Sequence, residues 1–170
     1  MKRINFFAEK HFTEPVKSDR LSGICDPKNG KCAYTTSDKN NTDKWCATVI
    51  NPTEKSFRFV PIDNNIDIRH ENNDKVSLCD GMLYVPKSSE LSFVELKDYH
   101  TGSYIAYAEQ QLLSTLKYFL ANHNYKDFNN RRAFICNPQR PNFAVSSRER
   151  ISEFFKKTHF RLLPQAEILL

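Results

Sequence analysis

The sequence predicts a single α/β domain in which short strands alternate with helices behind a hairpin-rich front half. Three features predict it. Apolar-rich runs of strand length occupy residues 45–50, 56–62, 76–85 and 91–98. Between residues 104 and 122, Ile105, Ala108, Leu112, Leu116 and Phe119 recur at spacings of three and four, the repeat of one helix face. The chain has 170 residues with 39% hydrophobic and 26% charged side chains, enough for one domain to bury a core without disulfide staples.

Each element has its own warrant. Residues 1–44 read as an irregular arm, a short helix followed by loops around the turn Asp26-Pro27-Lys28-Asn29-Gly30, packed on the main body. The runs 45–50 and 56–62 are separated by Asn51-Pro52-Thr53-Glu54-Lys55, which predicts a hairpin. A polar stretch containing Asp63-Asn64-Asn65 and Glu71-Asn72-Asn73-Asp74 intervenes before the strand 76–85. The turn Pro86-Lys87-Ser88-Ser89-Glu90 leads into the strand 91–98, and the helix 104–122 follows. Residues 131–136 form a strand ending at Asn137-Pro138. Ser146 with Glu149 three residues on is a capping box, opening a helix that carries Ile151, Phe154 and Phe155 on one side. Residues 159–163 form a last strand. The motif-bearing core spans 45–140.

No run of about 18 apolar residues is present, which argues against a membrane-spanning helix. The first ten residues lack the apolar stretch of a signal peptide, so a cytoplasmic location is expected. Five cysteines at 25, 32, 46, 79 and 136 are odd in number and irregular in spacing, unlike a disulfide framework. Cys25, Cys32 and Cys46 contain no Cys-x2–4-Cys pair and have no obvious fourth ligand for zinc, so buried free thiols are expected. The net charge is +5, and residues 123–161 hold nine basic groups against three acids, a local +6. Such a segment is either a footprint for a polyanion or a solvated surface.

The residues that carry chemistry sit on the central strand pair. Glu95 and Lys97 are two apart and share a strand face, about 7 Å apart, while Val94 and Leu96 point the other way. A hairpin centred near Ser88 brings Asp80 opposite Glu95 to within about a residue. Two hard oxygen donors suit part of an Mg²⁺ or Mn²⁺ octahedron and leave room for waters and a substrate phosphate. Such an ion polarises a phosphoryl oxygen and helps generate the nucleophile. A lysine beside it can orient the attacking water or offset charge growing on phosphorus. Spacing alone does not decide this, because Asp26-Pro27-Lys28 is a second acid-x-Lys triplet, set in a turn. An exposed Glu/Lys pair on a sheet surface is the plain alternative for residues 95–97.

Asp80, then Glu95-Leu96-Lys97 on the next strand, then the helix 104–122, resembles the PD-(D/E)xK nuclease superfamily. The resemblance covers roughly residues 45–140. It implies a restriction-endonuclease-like αβββαβ core with a mixed central sheet flanked by helices. It also implies metal binding by Asp80 and Glu95 and catalysis with Lys97. Cys79 stands where the family pattern has proline. One subgroup carries Gln-x3-Tyr on the following helix; here Gln111 is followed by Thr115 and Gln110 by Ser114. Gln111 either faces the site, touching substrate backbone or a metal-bound water, or is a polar boundary residue of the helix. A further acid is common in the superfamily; Glu9, Glu14, Glu54 and Asp63 are candidates, with Asp63 preferred because it ends a strand.

The expected function is a metal-dependent nuclease, acting on DNA more readily than RNA, in phage defence, mobile-element biology or repair. Arg140, Arg148 and Arg150, around the start of the last helix, are the expected backbone contacts. A double-strand cutter of this size would act as a homodimer or within a larger defence complex. The rivals are an inactive nucleic-acid- or protein-binding module on the same fold, which the intact Asp80/Glu95/Lys97 set argues against, and a zinc-containing regulator built on the front half.

Overall fold

The structure, a computed structural model, describes residues 3–98, 104–139 and 148–170. Along the chain run β1 (Leu21–Cys25), β2 (Tyr34–Thr36), β3 (Ala47–Ile50), β4 (Arg58–Pro61), β5 (Gly81–Val85) and β6 (Glu90–Leu96). They are followed by α1 (Tyr104–Asn122), β7 (Asn129–Cys136), α2 (Arg148–Thr158), β8 (Arg161–Pro164) and β9 (Glu167–Leu169). The large sheet has the order β4-β5-β6-β7-β8, antiparallel from β4 to β6 and parallel from β6 to β8. The small sheet, β2-β1-β3-β9, is antiparallel except for the parallel β3–β9 pair. The chain is therefore mixed α/β with two mixed sheets.

The large sheet is buried on both faces, and β6 shows how. Its residues alternate between faces with the strand period of two. Leu91 and Phe93 enter the core under the helices, with Leu112, Leu116, Phe119 and Phe154. Val94 and Leu96 enter the core between the sheets, with Val49, Phe59, Leu83 and Ile168. The result is three layers: helices, large sheet, small sheet. Close packing also explains a glycine at the start of β5. A Cβ on Gly81 would lie 2.4 Å from the Phe59 ring, so any larger residue there would displace the ring.

The helix over 104–122 forms as the periodicity predicts, with all five stripe residues buried. The β5–β6 hairpin also forms. It closes through a single 3₁₀ turn, Pro86–Ser88, with Ser89 in the left-handed conformation at φ 52°. Cys25, Cys46, Cys79 and Cys136 are buried free thiols, and Cys32 is half-buried. No helix among the described residues is long and apolar enough to cross a membrane.

Four expectations need correction. Residues 1–44 are not merely an irregular arm, because β1 and β2 lie there and form half of the small sheet. β3 and β4 do not make a hairpin but enter different sheets. The connection is pinned by buried Asn51, which donates to the carbonyls of Asp19 (3.2 Å) and Lys55 (2.9 Å) and accepts the Lys55 N–H (2.9 Å). The strand expected over 76–85 begins only at Gly81, since Val76 and Leu78 turn into the core under α1. Finally, α2 buries Phe154 but leaves Phe155 exposed: α2 turns only the narrow face of Phe154 and Thr158 to the core, and Phe155, about 100° round from Phe154, falls outside it. The expected capping residue Ser146 lies outside the described residues.

Candidate active site

The β5–β6 register pairs Gly81 with Val94, and one further step sets Asp80 opposite Glu95. The structure thus brings the two carboxylates to one end of the hairpin, where β5 begins and β6 ends. Asp80 Oδ2 accepts the backbone N–H of Leu96 at 2.6 Å, which clamps the acid across the strand pair. Glu95 is 1% exposed and its Oε1 lies 2.5 Å from Lys97 Nζ. Glu95 and Lys97 share a face, as the strand period requires, but that face looks toward α1 instead of open solvent.

α1 completes the arrangement. Lys97 Nζ donates to Gln111 Oε1 at 2.7 Å, and Gln111 Nε2 donates to the Leu78 carbonyl at 3.2 Å. Gln111 therefore faces the site and ties the lysine to the segment leading into Asp80. One helical turn on, Thr115 Oγ1 accepts the Cys79 N–H at 2.7 Å and donates to the Gln111 carbonyl at 2.9 Å. One turn back, the Tyr107 ring centroid is 4.9 Å from Lys97 Nζ. Thr115 and Tyr107 were not legible as site residues; the one available signal was their i, i±4 spacing from Gln111.

Burial dominates the electrostatics of the site. Burial pushes the Asp80 carboxyl up to about 7, against the opposing hydrogen bond from Leu96. Burial, reinforced by the neighbouring Asp80 charge, pushes Glu95 well above the usual carboxylate range, and Lys97 only partly offsets it. Glu95 Oε2 is buried without a hydrogen-bond partner. At the other end of the same strand, Glu90 supplies an internal contrast. It too is buried, yet hydrogen bonds from Lys55 (2.9 Å), Ser88 (2.7 Å) and Asn130 (2.9 Å) outweigh burial and hold it down at about 2. Glu90 is satisfied by its surroundings, and Glu95 is not.

An orphaned carboxylate oxygen beside a second carboxylate is the donor chemistry of a divalent cation site, and Asp80 and Glu95 fit one. Asp80 is partly exposed to solvent, whereas Glu95 is buried. No group of three or more His, Cys, Asp or Glu is arranged to hold a metal among the described residues. The protein thus offers two oxygen ligands, a number suited to an ion that keeps several waters and takes substrate phosphate. Of the acids considered as a third ligand, Glu14 is held at the front of the chain by the Thr35 N–H (2.7 Å). Asp63 lies beside the site, its backbone N–H donating to the Cys79 carbonyl at 3.1 Å and its charge acting on both Asp80 and Glu95. Its carboxylate is paired with Lys75 at 2.8 Å.

The basic segment divides on inspection. Arg132 is buried, donating to Ser92 Oγ at 3.1 Å and to the Leu169 carbonyl at 2.6 Å, and Arg131 donates to the Tyr125 carbonyl at 3.0 Å. Both are committed inside the fold. Arg150 pairs with Glu109 of α1 at 3.2 Å, which joins the start of α2 to the helix that carries Gln111. Arg148 is exposed, and Arg140 lies outside the described residues.

No family model, curated protein or solved structure matches the chain. The functional reading therefore rests on the geometry of the site.

Proposed function

We propose that this chain is a metal-dependent nuclease that hydrolyses phosphodiester bonds, with DNA the preferred nucleic acid. One observation carries the reading. Two carboxylates whose burial is uncompensated meet, at the end of one hairpin, a lysine held in place by a glutamine. The strand order supports the restriction-endonuclease-like reading, since three antiparallel strands lead through α1 to a parallel fourth, β7. Among the described residues, the helix that opens that core has only 3₁₀ segments, Glu9–His11 and Lys39–Lys44, in its place.

In this reading Asp80 and Glu95 hold Mg²⁺ or Mn²⁺, which when bound polarises the phosphoryl oxygen and eases formation of the nucleophile from water. The rest is done by the chain. Glu95 and Gln111 both contact Lys97 Nζ, at 2.5 Å and 2.7 Å, and fix its position across the site. Lys97 then offsets negative charge as it grows on the phosphoryl oxygens, a contribution worth about 10²–10³ in rate when such a group is removed. The Leu96 N–H holds Asp80 in register with Glu95. Arg148 and Arg140 supply backbone contacts away from the cleavage point.

Incubation of the protein with plasmid, linear duplex and single-stranded substrates tests this, in Mg²⁺, Mn²⁺ or chelator. Cleavage is expected with metal only, and Glu95→Gln and Lys97→Met should each lose at least a hundredfold while remaining folded. Variants that cut as well as the parent would remove these residues from the site. A parent that cuts nothing with either ion would favour a binding module on this fold.

A further inference from the structure

Tyr107 stands out on α1 because it is aromatic, 61% exposed and beside the lysine of the site. Exposing a ring of this size forgoes roughly 1.5–3 kcal/mol of burial. Elsewhere on α1, Ile105, Leu112, Leu116 and Phe119 are buried, and Leu113, Tyr118 and Leu120 are half-buried against the core. The position is not accidental with respect to the site either. Tyr107 is one helical turn before Gln111, so both reach the same lysine. Lys97 Nζ lies 4.9 Å from the ring centroid, and the residue as a whole is well exposed to solvent.

We propose that Tyr107 is a stacking platform for a nucleobase next to the scissile phosphate, and that the enzyme takes single-stranded or locally unpaired nucleic acid there. The inference rests on the nuclease reading and sharpens its substrate class. A flat ring offered to solvent binds any base through its π-face, without reading sequence. The base must present an uncovered face, which a paired and stacked duplex does not supply. The cation on the inner face suits this role, since a ring between an ammonium and a base is attracted from both sides. The lysine is thereby set at the phosphate of the nucleotide whose base lies on Tyr107.

The test moves a single abasic site along a single-stranded oligonucleotide of otherwise fixed sequence and measures kcat/KM at each position. The parent should show one position, flanking the cleaved bond, where loss of the base costs about 5- to 150-fold, the range for one base–aromatic stack. Tyr107→Ala should lose that positional sensitivity and cut the intact strand as slowly as the parent cuts the abasic one. Tyr107→Phe and Tyr107→Trp should keep it. If Tyr107→Ala retains the same sensitive position, the platform is elsewhere and the inference fails, with the nuclease reading intact. If Tyr107→Ala lowers kcat equally for intact and abasic strands, the ring only positions Lys97 and the inference also fails. If the parent cuts nothing, the nuclease reading has failed. Fluorescence anisotropy of the same labelled strands then decides the platform: equal affinity of parent and Tyr107→Ala for the intact strand refutes it, and weaker binding by Tyr107→Ala that removal of one base reproduces in the parent upholds it.

Discussion

Asp80→Asn should make the metal-free protein more stable at neutral pH while abolishing its metal response. Burial holds the Asp80 carboxyl at about 7, against an ordinary value of 3.8. Between these values the folded protein retains a proton that the unfolded chain has released. Unfolding then releases a proton, and stability falls as pH rises across the window. At 1.36 kcal/mol per pH unit the full span is worth about 4 kcal/mol, and since Asp80 keeps some contact with water roughly half of that is expected. The asparagine variant keeps a carbonyl oxygen to accept the Leu96 N–H, so the clamp survives while the charge is gone. It also relieves Glu95, whose carboxyl the Asp80 charge raises further.

Urea unfolding at pH 5, 6, 7 and 8 in chelator is the measurement. The parent should lose about 1.3 kcal/mol between pH 5 and 8 on the Asp80 account, the part of the span that lies above pH 5, and Asp80→Asn should show a shallower decline and be the more stable protein at pH 8. Below about pH 4, where the Asp80 contribution is spent, the parent should lose stability in acid, because the unfolded chain takes up a proton on Glu90 that the folded protein, holding it down at about 2, does not bind. Magnesium at about 100 times its dissociation constant should then stabilise the parent by about 2.7 kcal/mol and leave Asp80→Asn unchanged. A parent whose stability is flat or rising from pH 5 to 7, or an asparagine variant that is the weaker protein at pH 8, would refute the claim that Asp80 is an uncompensated charge.

Thr115→Val leaves the buried Cys79 N–H without its acceptor and should cost about 1–3 kcal/mol, read as a fall of about 3–10 °C in Tm. Gln111→Met should lower kcat about 10- to 100-fold with little change in KM, and adding it to Lys97→Met should cost nothing more, because Gln111 acts through the lysine; an additive double variant would assign Gln111 a separate role. Arg148→Gln should reduce the slope of log affinity against log salt concentration by about 1 without changing kcat, as expected for one phosphate contact.

How much of this was legible depended on the range of the interactions. The hairpin of β5 and β6 was readable because its two strands are joined by one short turn, and the turn sets their register. Once the register is set, the strand period puts Glu95 and Lys97 on one face and Val94 and Leu96 on the other. The helix α1 was readable for a similar reason, its stripe of Ile105 to Phe119 repeating within a single segment. The break in β5 at Gly81 was not, because Val76 and Leu78 look like strand residues until α1 is laid over them.

The small sheet was beyond the sequence altogether. It joins β3 to β9 in parallel, pairing Val49 with Ile168 across more than two thirds of the chain, and nothing local to either segment specifies that partner. The Asp80 and Glu95 titrations belong to the same class. A carboxylate's residue type is local, but its desolvation is set by every segment packed around it, and Glu90 and Glu95 end up on opposite sides of the ordinary range within one strand. The sequence by itself determined which side chains share a face and which hairpin carries the acids. Only the tertiary structure decided which of those acids has its oxygens hydrogen-bonded and which keeps an unpartnered oxygen, because that depends on partners far away in the chain.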